Sequence, residues 1–297
     1  MTSPRLTPRA GLIRCSPLSS MARVALFQMT SGIDPASNAK AIEGAIAQAT
    51  AGGAEMLFAP EMAGMLDRDR KRAAVSIRST EADTVLARTC AAAKQHGVWV
   101  ALGSLAINDG REDGRWSNRS FVIDDTGTIR AQYDKIHLFD VDLPNGESWR
   151  ESSAYAPGQG AFVVHTPVGI IGLSICYDIR FPSLHSALSE AGASILTVPS
   201  AFTVPTGQAH WHTLLRARAI ENACWVIAAA QTGTHEDRRA TYGHSLVVSP
   251  WGEVVLDMGE SEGLAFAEID LAAVDAARAR IPVIAHRRSV AEVKVIP

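Results

Sequence analysis

The chain has 297 residues, 47% of them hydrophobic and 20% charged, with a formal net charge of −3 and an isoelectric point near 6.3. That composition supplies a sizeable apolar core and offers no basic field for a nucleic acid. The longest apolar stretches, 169–176 and 223–230, fall far short of the roughly 20 residues of a membrane-spanning helix, so no membrane partner is expected.

Residues 1–20 stand apart, with Arg5, Arg9, Arg14, prolines and hydroxyl residues but no acidic residue. Such a segment resembles a weak transit peptide. The simpler reading, adopted here, starts translation at Met21 and leaves 1–20 as a disordered or non-native extension. Arg23–Gln28 then reads as the first strand. Ser37 or Asn38 can cap a helix whose Ala39, Ile42, Ile46 and Ala49 share one face, and Gly52-Gly53 ends it. Met56–Ala59 is the next strand and leads to Glu61. A helix from about Ala82 stops at Gly97 and returns as a strand over Val98–Leu105.

Ser120–Asp124 and Ile129–Tyr133 flank Asp125-Thr126-Gly127 as a hairpin, and Phe162–His165 and Gly169–Ile175 flank Pro167-Val168 as another. Helices follow over Pro182–Ala191 and roughly Ala209–Asn222, with strands at Ser194–Val198, Trp225–Gln231, Ser245–Val248, Glu253–Leu256 and Leu264–Glu268. Strands thus alternate with helices while hairpins interrupt the alternation. That pattern gives an α/β chain with mixed sheets and helices packed on them, not a purely parallel barrel. No linker, repeat or low-complexity tract divides 21–297, so one domain is expected despite a length that could hold two.

Four cysteines, Cys15, Cys90, Cys176 and Cys224, show neither metal-ligand spacing nor disulfide-scaffold density, which suits a reducing cytosol. Cys90 falls on the same helical face as Val85, Leu86 and Ala93, and Cys224 opens a buried strand, so both read as packing residues. Cys176 differs. In Gly172-Leu173-Ser174-Ile175-Cys176-Tyr177-Asp178-Ile179-Arg180-Phe181-Pro182 a small, apolar run delivers it to a strand end, and Pro182 can open a helix directly after the polar turn. A strand end lets a side chain reach a cleft while the sheet holds its backbone, although a lone cysteine there is more often buried packing.

Two further segments change that balance. Leu57-Phe58-Ala59-Pro60-Glu61 ends an apolar run in a carboxylate, and Tyr133-Asp134-Lys135-Ile136-His137-Leu138-Phe139 sets a lysine among apolar neighbours. Taken singly, Glu61 could be a cap and Lys135 a snorkelling surface lysine. With the cysteine segment they resemble the three signature motifs of the nitrilase superfamily, the carbon–nitrogen hydrolases, over nearly the whole chain from Val24 to about Arg288.

That resemblance implies a four-layer αββα sandwich, pairing of subunits into a homodimer or higher oligomer, and a catalytic set of Glu61, Lys135 and Cys176 with no metal or other cofactor. It implies a second glutamate at Glu151, steadying Lys135 and orienting substrate, and an oxyanion held by Lys135 and the backbone N–H of Tyr177. Arg180 is the expected contact for a substrate carboxylate, its alternative being an internal pair with Asp178 or Glu221. Phe202 and Thr206 match pocket-lining positions. His210 and His212, two apart on a helix, do not share a face and make a poor chelate.

Tyr177-Asp178-Ile179-Arg180-Phe181-Pro182 resembles the ω-amidase and deaminated-glutathione-amidase branches of the family. The segments 209–211, 239–245, 249–252 and 281–288 lean towards the second, while 1–20 and 289–297 depart from its pattern. The expected function is therefore a cytoplasmic amidase passing through a thioester and acting on a small anionic 2-oxo acid amide. A broader aliphatic amidase, an N-carbamoyl amino acid amidohydrolase and a non-catalytic scaffold are the alternatives.

Overall fold

The computed structural model describes residues 21–142, 146 and 148–296. Expectations for residues 1–20, including Cys15, fall outside them. In chain order the strands are β1 (Met21–Gln28), β2 (Met56–Phe58), β3 (Trp99–Ile107), β4 (Ser117–Ile123), β5 (Ile129–Asp134), β6 (Asp140–Asp142), β7 (Ser148–Arg150) and β8 (Val163–Thr166). There follow β9 (Gly169–Gly172), β10 (Ile195–Thr197), β11 (Trp225–Ala228), β12 (Thr232–Thr234), β13 (Ala240–Tyr242), β14 (Leu246–Val248), β15 (Val254–Asp257) and β16 (Gly263–Asp270). The helices are α1 (Pro35–Ala51), α2 (Arg70–Ala74), α3 (Thr84–His96), α4 (Pro182–Glu190), α5 (Val204–Asn222), α6 (Ala272–Arg280) and α7 (Val283–His286).

Two six-stranded sheets carry the fold, ordered β16-β1-β2-β3-β4-β5 and β15-β14-β11-β10-β9-β8, and both mix parallel and antiparallel pairs. The two-residue period of a strand sorts their faces. Val24 and Leu26 of β1, Met56 and Phe58 of β2 and Val122 of β4 share one core with Ile171, Ile195, Leu196 and Val226 of the second sheet. The intervening Ala25, Leu57, Phe121 and Ile123 instead meet Ile42, Ile46 and Ala49 of α1 and Val85, Leu86 and Ala93 of α3. Leu184 and Leu188 of α4 and Trp211, Leu215 and Ala219 of α5 cover the second sheet. The layers therefore run helix, sheet, sheet, helix. Among the described residues no helix is long and apolar enough to cross a membrane.

The elements expected from the sequence appear in order and type but differ at their ends, and α2, β6, β7, β12, β13, α6 and α7 come in addition to them. Asp34 caps α1 by accepting from Ala36 N and Ser37 N, with Pro35 in the first turn, so the helix starts before Ser37. Asn38 is buried instead, its Nδ2 bridging Gly32 O and Gly64 O. Helix α5 begins at Val204, ahead of Ala209, because Pro205 suits a first turn. Strand β9 stops at Gly172, before the expected Ile175. Cys90 packs half-buried on the α1–α3 core, and burial pushes the Cys224 thiol up to about 11.

Gly103 of β3 matters for placement. A Cβ there would lie 2.2 Å from Ala59 O and 2.3 Å from Pro60 O, so only glycine lets the turn before Glu61 press on the strand. Gly103→Ala is expected to cost about 2–3 kcal/mol by overpacking, measured as a lower urea midpoint at unchanged m-value.

His185 of α4 is fully buried; its Nδ1 lies 3.3 Å from Phe181 O and its Nε2 has no partner among the described residues. Burial lowers its pKa from 6.5 to about 4. Below pH 6.5 the unfolded chain takes the proton first, so stability falls as pH drops towards 4 and is fully present above 6.5. Against His185→Gln, the native chain should lose up to about 3 kcal/mol more between pH 7 and pH 4, read by urea unfolding at each pH.

Candidate active site

Strand direction gathers the polar residues. Strands β1, β2 and β3 run parallel while β4 and β5 reverse in turn, so the ends of β2 and β5 and the start of β4 meet at one edge. Glu61 follows β2, Asn118 opens β4 and Lys135 follows β5. The alternation that puts Tyr133 into the inter-sheet core puts Lys135 on the same face. In the other sheet β9, β10 and β11 are parallel, and their ends carry Cys176, Ala201 and the 229–231 segment to the same edge.

Lys135 sits at the centre. Its Nζ donates to Glu61 Oε1 at 2.9 Å and to Glu151 Oε1 and Oε2 at 3.0 and 2.9 Å. Asn118 Nδ2 bridges the same carboxylates, at 2.9 Å from Glu61 Oε1 and 3.2 Å from Glu151 Oε1. Ala201 N–H donates to Glu61 Oε2, and Phe139 N–H donates to Glu151 Oε2. Lys135 is 2% exposed as a side chain, Glu61 6% and Glu151 13%. Burial opposes the charge on Lys135, but Glu151 and Glu61 outweigh it and hold the ammonium pKa well above its ordinary value.

Cys176 has φ +49, a left-handed conformation that costs a non-glycine residue about 1–3 kcal/mol. It opens a 3-10 turn, Cys176–Arg180, with its own N–H on Pro199 O at 2.9 Å. Asp178 holds that turn. Its Oδ2 accepts from Tyr133 Oη at 2.6 Å and Ile175 N at 2.9 Å, while its Oδ1 accepts from His137 N at 3.0 Å and lies 2.7 Å from His137 Nδ1. One fully buried carboxylate thus ties the cysteine turn to both flanks of Lys135. Burial, then the charge of Glu61 and a hydrogen bond to it, push the Cys176 pKa well above the ordinary thiol range against the pull of Lys135. Glu61 and Lys135 are thus the two charged groups that act on the sulfur, in opposite senses.

These residues open into a cavity of about 390 Å³. Glu61, Asn118, Lys135, Glu151 and Cys176 line it together with Phe202, Thr206, Trp149 and Tyr155. The Tyr177 N–H lies in the first turn after Cys176, where no carbonyl three residues back can take it. Arg180 is not among the lining residues. Its guanidinium packs 5.7 Å from the Phe202 ring centroid, with Nη2 3.2 Å from His210 Nδ1. Neither suggested internal partner takes it, since Asp178 is turned inward and Glu221 pairs with Arg218 at 2.7 Å. The arginines that do line the cavity are Arg68, Arg70, Arg150 and Arg239.

His210 and His212 diverge as expected. His212 Nε2 lies 3.0 Å from Asp257 Oδ2, and His244 Nδ1 lies 2.9 Å from Asp257 Oδ1. That trio is the one grouping with metal-ligand potential among the described residues, and it shares no residue with the cavity lining. Sequence reasoning missed Asn118, Asp178 and Arg239. Asn118 had a signal in its strand parity with Ser120 and Val122, whereas the other two had none. Asp178→Asn puts an N–H donor among donors, so stability should fall by about 2–3 kcal/mol in urea unfolding. Turnover should fall with it, and full turnover would dissociate the Asp178 network from the site.

Residues 23–279 match the family described as carbon-nitrogen hydrolase. The nitrilase and fragile histidine triad fusion protein NitFhit of Caenorhabditis elegans is 43% identical over 267 residues, spanning 90% of this chain and 60% of the fusion protein. Its crystal structure superposes with a TM-score of 0.83 at 42% identity, covering 90% of this chain and 65% of the other. The deaminated glutathione amidase of Bos taurus is 42% identical over 293 residues, covering 96% of this chain and 87% of that protein. An amidase from Nesterenkonia sp. AN1, bearing the acetamide moiety of fluoroacetamide covalently at its active-site cysteine, superposes with a TM-score of 0.76. It is 26% identical and covers 94% of this chain and 97% of its own.

Proposed function

The chain belongs to the carbon–nitrogen hydrolase family, and on that premise we propose that it is a cysteine-dependent amidase of deaminated glutathione or a close 2-oxo acid amide. The observation that carries this reading is a cavity lined together by Cys176, Glu61 and Lys135, with the buried Lys135 ammonium donating to Glu61 at 2.9 Å. Deaminated glutathione amidases of Bos taurus, Homo sapiens and Yersinia enterocolitica, at 42%, 41% and 37% identity, support the substrate. In that compound a ketone replaces the γ-glutamyl amine of glutathione, and hydrolysis gives 2-oxoglutarate and cysteinylglycine.

In the proposed mechanism Cys176 Sγ attacks the amide carbon as its proton passes to Glu61. Because burial and Glu61 itself disfavour a free thiolate, proton transfer accompanies attack, as in general base catalysis. The S–C bond forms and the carbonyl electron pair moves to oxygen. Lys135 Nζ and the Tyr177 N–H hold that oxyanion. The C–N bond then breaks, and the proton on Glu61 goes to the leaving nitrogen. Water enters, gives a proton to Glu61 and attacks the thioester; the acid departs as the sulfur regains its proton. Glu151 and Asn118 hold Lys135 and Glu61 in register throughout, and Phe202 and Thr206 shape the wall beside the acyl group.

We also read the enzyme as a cytosolic homo-oligomer. Cys90, Cys176 and Cys224 are free thiols, and Ile220, Trp251 and Val255 expose about half of their surface (50%, 49% and 47%), which suits burial against another subunit.

The test is hydrolysis of deaminated glutathione beside 2-oxoglutaramate, an N-carbamoyl amino acid and an aliphatic amide. Deaminated glutathione should be preferred, with no turnover by Cys176→Ala and a loss of about 10²–10⁴-fold in kcat for Glu61→Gln. Preference for another substrate overturns the specificity, and a folded enzyme inert on all of them overturns the amidase assignment.

A further inference from the structure

The charges that line the cavity fall into two groups. In one, Lys135 faces two carboxylates, Glu61 and Glu151, an excess of one negative charge. Of the lining arginines, Arg150 is offset by Asp142 at 2.9 Å, and Arg70 donates to Ser153 O. Arg68 and Arg239 are arranged differently. Their guanidinium carbons lie 5.0 and 4.6 Å from the ring centroid of Trp149. A single buried carboxylate, Asp237, serves both residues. Its Oδ2 accepts from Arg68 N–H at 2.8 Å and lies 3.4 Å from Arg239 Nη2, while its Oδ1 accepts from Arg239 N–H.

Only the Arg239 guanidinium reaches Asp237, since Arg68 meets it through its backbone, and Asp67, a carboxylate of the lining, is held by Arg72 at 2.7 Å. Arg239 is 17% exposed as a side chain, and its buried Nε has no acceptor among the described residues. The exposed Arg68 guanidinium has no carboxylate partner among the described residues. A planar donor fork, short of acceptors, desolvated on one side and laid on an indole, is suited to a carboxylate.

We infer that Arg239, with Arg68 and Trp149, forms a subsite for a substrate carboxylate remote from the scissile carbonyl. This rests on the amidase reading and is separate from Arg180, which packs on Phe202 outside the lining. The remoteness follows from the two groups of charge: an anion is repelled by the carboxylates around Lys135 and drawn to the arginines. Trp149 lies on β7, and Glu151 follows that strand directly. One hairpin thereby carries both the floor of the anion subsite and the carboxylate that holds Lys135.

The test measures binding rather than turnover, by titration calorimetry on Cys176→Ala with two matched pairs. Deaminated glutathione is compared with its analogue in which ethylamine replaces glycine, and 2-oxoglutaramate with 4-oxopentanamide. The first pair removes a carboxylate from the leaving amine and the second removes one from the acyl side. In at least one pair the carboxylate ligand should bind about 10- to 100-fold tighter, as expected for a hydrogen-bonded charge, and that pair identifies the end recognised. Arg239→Gln should close the gap to about threefold or less, and Arg68→Gln, at an exposed position, should narrow it without disturbing the fold. No gap in either pair, a gap that survives both substitutions, or equal weakening of both members of a pair would overturn the subsite. Turnover by the parent enzyme separates the two ideas. Loss of the gap with normal turnover removes only the subsite, and a gap without turnover of any amide removes only the amidase reading.

Discussion

A buried ammonium sets the terms for this molecule. Lys135 is almost fully withdrawn from water, and an isolated charge in that position would cost several kcal/mol or discard its proton. It keeps the proton because Glu61 and Glu151 meet it within hydrogen-bond distance and Asn118 fixes the geometry of both. Those partners come from the end of β2, the start of β4 and the turn after β7, so three connections of different length must converge on one point. Burial, and after it the charge of Glu61, raises the Cys176 pKa against the pull of the same lysine. The lysine therefore bears on packing and on the sulfur together.

Asp178 is the counterpart on the other sheet. It has no exposure, and every donor it receives lies either in the cysteine turn or beside Lys135. That carboxylate offsets the left-handed backbone of Cys176 by locking the turn that follows it. The face-to-face sheets supply the stiffness: a shift of either would break hydrogen bonds on both sides of the inter-sheet core. Sub-ångström placement of sulfur, ammonium and carboxylate is the condition for the proposed concerted proton transfer.

The short β6–β7 hairpin connects this interior to the mouth. It presents Trp149 to the arginines and Glu151 to the lysine within three residues of chain, so the recognising and reacting ends of the cavity share a support.

Much of this was legible in the residues themselves. Strand and helix alternation, the inward face of α1 and both hairpins follow from local periodicity and turn chemistry, which depend only on near neighbours in the chain, whereas Glu61, Lys135 and Cys176 stood out through the family resemblance of their motifs. The ends of elements were less legible: Asp34 rather than Ser37 or Asn38 caps α1, because Asn38 is drawn inward by carbonyls at Gly32 and Gly64, one of them far along the chain. Which arginine faces the cavity was not legible at all. Arg180 stands beside the cysteine in sequence, and Arg239 stands far from it, yet the 3-10 turn carries Arg180 onto Phe202 while Asp237 and Trp149 hold Arg239 at the mouth. The sequence by itself determined the face each strand turns inward and named Glu61, Lys135 and Cys176 as candidates for the chemistry. Only the tertiary structure decided which charges meet, because the strength of an ion pair depends on distance and desolvation, and both arise when strand ends remote in the chain close on one another.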